Sequence, residues 1–134
     1  MPRPALLKYV LCSPFVVWGL LLLGCHSKTQ PLLSHDKPVS YWIEELRKPE
    51  PQARKKAVTA LGHVGKADPA AIPALVEALH DPDAGVRDAA VLALLNLGSD
   101  AKDAVPALKE ATKDKDATVR GHAVKALERI QQLP

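Results

Sequence analysis

Residues Ile72 to Gly98, IPALVEALHDPDAGVRDAAVLALLNLG, read as two short helices joined by a tight turn. The features of this stretch recur once before it and once after it. Ile72-Pro73-Ala74-Leu75 returns as Val105-Pro106-Ala107-Leu108, and Val86-Arg87 returns as Val119-Arg120. Arg54, Arg87 and Arg120 are 33 residues apart, as are Ala57, Ala90 and Ala123, and Leu61, Leu94 and Leu127, with no gap needed. A fixed period of this length marks a repeat architecture. The spacing predicts an all-α chain: an α-solenoid of three stacked antiparallel helix pairs, over about 38–68, 69–101 and 102–134.

The first helix of each pair is expected near Val39–Lys48, Ala70–His80 and Ala104–Lys113, and the second near Pro51–Val64, Ala84–Leu97 and Ala117–Leu133. Pro73 and Pro106 fall in a first helical turn, where a missing N–H costs nothing. Asp83 and Asp116 stand at N-cap positions, with Glu50 at the matching place in the first pair. Gly65 and Gly98 fall just past a helix end, where the left-handed conformation suits glycine. In the second helix of the middle pair, Val86, Ala90, Leu94 and Leu97 form one apolar stripe. The abundant alanines let helices approach closely. No single pair can bury its apolar face alone, so the pairs must stack.

Working outward, the N-terminal 25 residues have a different character. Arg3 and Lys8 give a positive start, Tyr9 to Gly24 carries no charge, and the stretch ends Leu22-Leu23-Gly24-Cys25. It is short for a membrane span of roughly 20 apolar residues and contains Pro14. A secretory leader over 1–25 is the expectation. Its end resembles the lipobox of bacterial lipoproteins. That resemblance implies a diacylglycerol on Cys25, cleavage before it, and a membrane-anchored domain in the bacterial envelope, facing the periplasm or exterior. Leu23 departs from the small residue usual there. His26 stands where that family uses Asp for inner-membrane retention, which leans toward the outer membrane. Residues 26–37, HSKTQPLLSHDK, are polar and aperiodic and read as a flexible tether.

Composition removes several classes of function. The chain has 134 residues, with 18 Lys and Arg, 15 Asp and Glu, and a formal charge of +3. Loss of the leader leaves 16 basic residues against 15 acidic ones. That is no footprint for nucleic acid, which needs a clustered basic excess. Cys12 would leave with the leader and Cys25 would carry lipid. The mature domain then has no thiol for a disulfide, a nucleophile or a metal. Only Tyr41 and Trp42 remain as aromatics, so the core is expected to be aliphatic. His26, His35, His63, His80 and His122 show no metal-ligand spacing, and no Gly-rich phosphate loop or G-x-S-x-G elbow is present. No cofactor and no metal are expected, and no enzymatic activity.

The segments PQARKKAVTALGHVG, DPDAGVRDAAVLALLNLG and DKDATVRGHAVKALERI resemble HEAT repeats, closest to the short class named after phycocyanobilin lyase subunits. The resemblance covers about Lys37 to Leu133. The ankyrin and tetratricopeptide signatures are absent. It implies a generic binding scaffold, with Arg54, Arg87 and Arg120 in an architectural role: stems packed at helix edges, guanidinium groups bonded to acids or carbonyls of the neighbouring turn. Arg47, Lys48, Arg54, Lys55 and Lys56 make the first repeat locally basic, interleaved with Glu44, Glu45 and Glu50.

One position departs from the repeat. At about 100° per residue from Val86, the stripe of Asp88, Leu92 and Leu95 points away from the core stripe. Its counterparts are Lys55, Thr59 and Gly62 in the first repeat and Gly121, Lys125 and Glu128 in the third. The outward stripe is thus polar or small except at Leu92 and Leu95. In HEAT solenoids the second helices line the concave surface. Two readings stand for these leucines: anchors of a partner-binding groove rimmed by Lys55, Thr59 and Lys125, or side chains covered by the curved stack. The expectation is a lipid-anchored envelope scaffold that binds another protein through this face. The alternatives are a subunit stabilising a larger envelope complex, or a chromophore lyase-like enzyme.

Overall fold

The computed structural model describes residues 33–34 and 37–132. The expected leader, Cys25 and the expected tether before residue 33 lie outside these residues. Six α-helices follow in order: α1 Val39–Glu45, α2 Pro51–Val64, α3 Ala71–Ala78, α4 Ala84–Leu97, α5 Val105–Ala111 and α6 Ala117–Gln132. A 3-10 turn over Gly98–Ala104 joins α4 to α5. Each short helix packs on the long helix after it, α1 on α2, α3 on α4 and α5 on α6. The long helices pack in sequence, α2 on α4 and α4 on α6.

Local chemistry explains most boundaries. The Asp83 carboxylate accepts from the Val86 amide at 3.1 Å, and the Asp116 carboxylate accepts from Thr118 and Val119. Each cap occupies one of the orphan donors of a helix start. Pro51 stands first in α2, and Pro106 lies in the first turn of α5. The short helices stop two or three residues before the sequence-based expectation. There the amides of Arg47, His80 and Lys113 bond the carbonyls three residues back, at Glu44, Glu77 and Glu110. The last turn tightens to 3-10 geometry before the chain reverses.

Four expectations need correction. Glu50 precedes α2 but its side chain makes no cap bond; its backbone carbonyl accepts from Ala53 and Arg54 instead. Gly65 is right-handed, at φ −59°. What it supplies is room, because a Cβ there would sit 2.9 Å from Leu97 Cδ1. Gly98 does have positive φ, 58°, but its ψ of −124° lies outside the left-handed helical region. The core is not wholly aliphatic, because Trp42 is buried beneath α2 with Lys56 Nζ 5.9 Å from its ring centre. A short α1 covers more of α2 with one indole than with an aliphatic side chain.

A further difference lies at the N-terminal edge. Leu33–Ser34 pairs antiparallel with Lys37–Pro38 (β1 and β2), across the boundary between the stretch read as tether and the first repeat, and β1 contacts α2. Backbone groups brought against a packed helix need partners, and the strand pair supplies them.

The core runs through the middle of the helix pairs. Leu61, Leu75, Leu94 and Leu108 are its largest fully buried side chains, with Val58, Val86, Val91 and Val119. Ala57, Ala90 and Ala123 are fully buried as well. At Gly62 on α2 an added Cβ would lie 2.8 Å from Ala93 Cβ on α4.

Candidate functional site

The outward stripe of α4 faces two grooves. Lys55 and Thr59 from α2 and Asp88 and Leu92 from α4 line the first, a cavity of about 290 Å³ whose lining also includes Gly62, His63 and Ala93. Its floor is shallow in side chains because Gly62 meets Ala93 there with no Cβ of its own. Leu92 is 37 % exposed, and α4 shows no other large hydrophobic side chain so open among the described residues. Leu95 and Lys125 line the second groove, of about 480 Å³, with Glu128, Arg129 and Gln132 of α6. The six side chains singled out in the sequence are thus divided: four around the first groove, two around the second.

Leu92 and Leu95 are not equivalent. Leu95 is half-buried and packs against the core. The two differ because Leu95 lies nearer the α6 side of the stripe, where the next long helix covers it. A site built on apolar exposure therefore centres on Leu92.

Asp88 carries a contact the sequence did not reveal. Its Oδ1 lies 2.6 Å from Nδ1 of His122 on α6, with both side chains about a quarter exposed. His122 is one residue past the repeat counterpart of Asp88, so an offset of 34 was the signal. The bond ties α4 to α6 beside the Leu92 groove and occupies one of the groove's charges. Lys55 remains exposed at its rim.

The three arginines sit away from both grooves. Arg54 donates Nε–H to Asp81 Oδ2 at 2.7 Å and Nη2–H to Oδ1 at 2.9 Å, and Nη1 bonds the carbonyls of Lys48 and Pro49. Arg87 repeats the arrangement with Asp114 and the carbonyls of Asp81 and Pro82. Both are buried. Arg120 bonds the carbonyls of Asp114 and Lys115 and is exposed. The acids Asp81 and Asp114 were missed in the sequence, although they too stand 33 apart and each lies 27 residues after its arginine. Pro73, Pro106, Gly65 and Gly98 line neither groove.

These pairs set a pH dependence. The Arg87 hydrogen bonds hold the Asp114 carboxyl below its ordinary value of 3.8 against the opposing effect of burial. At Asp81, burial pushes the carboxyl up, but the Arg54 bonds, the Asp83 amide and the nearby guanidinium charges outweigh it, and the net shift is downward. The amides of Val119 and Thr118 lower Asp116 likewise. A carboxyl depressed in the folded state stabilises fully above its unfolded value and loses that stabilisation as pH falls through the folded value. The urea midpoint is expected to be flat from about pH 5 to 7 and to drop below about pH 4. A midpoint that rose on acidification would contradict the pairing.

Among the described residues, no three His, Cys, Asp or Glu side chains come together as a metal-binding group. No helix among them is long and apolar enough to cross a membrane. Compared with known families, residues 39–128 match the family described as HEAT repeats. No curated protein matches the chain.

Proposed function

Since the chain belongs to the HEAT-repeat family, whose members commonly serve as protein-interaction scaffolds, we propose that it is a lipid-anchored adaptor of a bacterial envelope that binds another protein. Three helix pairs in 33-residue register form the scaffold, and the outward face of α2, α4 and α6 forms the binding surface. Exposed Leu92 beside the α2–α4 groove is the observation that supports this reading. An apolar residue at the lip, a methyl-lined floor at Ala93 and a polar rim of Lys55, Thr59 and Asp88 have the anatomy of a small interface. Half-buried Leu95 and exposed Lys125 extend the surface toward α6. The function is non-enzymatic, with no cofactor. The anchor rests on Cys25 and the leader that precedes it. Two or three acyl chains attach a domain stably where one is marginal.

The test separates binding from folding. Leu92→Ser is expected to keep the wild-type melting temperature and to lose the proteins captured by wild type from detergent-solubilised envelopes. A captured set identical for the two proteins would remove the groove from consideration. Leu95→Ser is unsuited to this comparison because its side chain packs on the core. Cys25→Ser is expected to shift the protein from the membrane fraction or to leave an uncleaved precursor. Unchanged mass and partition would refute the anchor while leaving the groove untouched.

A further inference from the structure

Three positions repeat along the long helices and change their environment at the last one. Val58 and Val91 are 0 % exposed, whereas Val124 is 45 % exposed. Leu61 and Leu94 are fully buried, whereas Leu127 is only partly so. Arg54 and Arg87 are buried in bidentate pairs, whereas Arg120 is exposed. In the first two cases the next helix pair covers the position. No described element covers the far side of α6 at these three residues. None of the three lines either groove.

Arg120 is more than an exposed cation. Its Nη1 bonds the carbonyls of Asp114 and Lys115 at 2.7 and 3.1 Å, six and five residues back. Arg54 and Arg87 make the same two bonds at the same offsets. The guanidinium is therefore held in the pose of the two paired arginines. Its Nε and Nη2 make no bond among the described residues. These are the atoms with which Arg54 and Arg87 grip Asp81 and Asp114. Side-chain entropy has been lost already, and a planar fork matched to a carboxylate is left open.

We propose that the far face of α5–α6, centred on Arg120, Val124 and Leu127, docks a helix pair of a different protein. That pair supplies an aspartate just before its second helix to Arg120, and small or aliphatic side chains to Val124. The two interior junctions specify this chemistry, since Asp81 and Asp114 stand just ahead of α4 and α6. A second copy stacked head to tail does not fit. The residue of the first pair at the Asp81 position is Lys48, which would meet Arg120 with like charge.

The experiment supplies a known occupant. Residues 102–134 are duplicated behind residue 134 of the full chain, which keeps the 33-residue spacing and sets a copy of Asp114 opposite Arg120. The extended chain is expected to unfold in one transition with a raised urea midpoint. Arg120→Ala should remove most of the rise while changing the unextended chain little. A midpoint that does not rise, with the added pair unfolding separately, overturns the proposal.

A labelled synthetic peptide of residues 99–132 tests binding in trans to the full chain in detergent. Arg120→Ala in the protein and Asp114→Asn in the peptide are each expected to weaken binding about tenfold, and together no further. Binding insensitive to both overturns the proposal. If the free peptide stays unfolded and does not bind, the extended chain decides the outcome. Leu92→Ser should leave all these readings unchanged, which separates this face from the groove. Self-association of the unextended chain abolished by Arg120→Ala would give the face to a second copy and overturn the partner assigned here.

Discussion

Arg87→Ala is expected to cost about 3 kcal/mol of folding stability, and Arg120→Ala no more than about 1 kcal/mol. The two arginines occupy the same repeat position and make the same bonds to carbonyls behind them. They differ in what lies ahead. Arg87 is held in two parallel bonds by Asp114, with side chains only 5 % and 11 % exposed. Truncating Arg87 strands that carboxylate, which keeps only the Asp116 amide as a donor, and also leaves the Asp81 and Pro82 carbonyls without their donor. Breaking a buried pair from one side is costly because a desolvated charge loses its partner. Arg87→Lys should recover only part of the loss, since one ammonium cannot reproduce the fork. Urea midpoints of the three variants give the comparison. Equal losses at positions 87 and 120 would show that the carbonyl bonds, and not the junction pair, carry the stability.

The second large effect is expected within one helix. Leu94→Ala should cost about 2–5 kcal/mol, and Leu92→Ala about 0.5 kcal/mol or less. The residues are two apart on α4 and face opposite ways. Leu94 is 0 % exposed in the central cluster, and Leu92 is 37 % exposed. Truncation at Leu94 removes transfer energy and leaves a cavity between helices held close by alanine and glycine contacts, with little freedom to collapse. Truncation at Leu92 removes surface that water already reaches. Thermal melts of the two variants decide the matter. A comparable loss at Leu92 would make it a core residue and remove the support for a binding groove beside it.

Helix order and the extent of the long helices were legible because they follow from local rules. The apolar spacing of Val86, Ala90, Leu94 and Leu97, the proline in a first turn and the Asp83 and Asp116 caps act over four or five residues. The repeat itself identified which positions are equivalent, since Arg54, Arg87 and Arg120 are spaced without gaps. It could not say that the equivalent positions have unequal surroundings. Whether an arginine is paired depends on whether another helix pair lies beyond it, and the residue itself carries no mark of that.

The candidate site was legible in the same partial way. The helical wheel put Asp88, Leu92 and Leu95 on one outward face. Tertiary packing then decided that Leu92 remains open while the neighbouring helix half-covers Leu95. It also joined Asp88 to His122 across two helices, a contact set by the offset between neighbouring long helices. Sequence by itself determined the order of the helices and the identity of the departing positions, because periodicity and capping are short-range. Only the tertiary structure decided why Gly62 has no room for a Cβ, which leucine is exposed and which guanidinium is left with an open fork. Each of these depends on the distance to a side chain about thirty residues away, and no local rule specifies that distance.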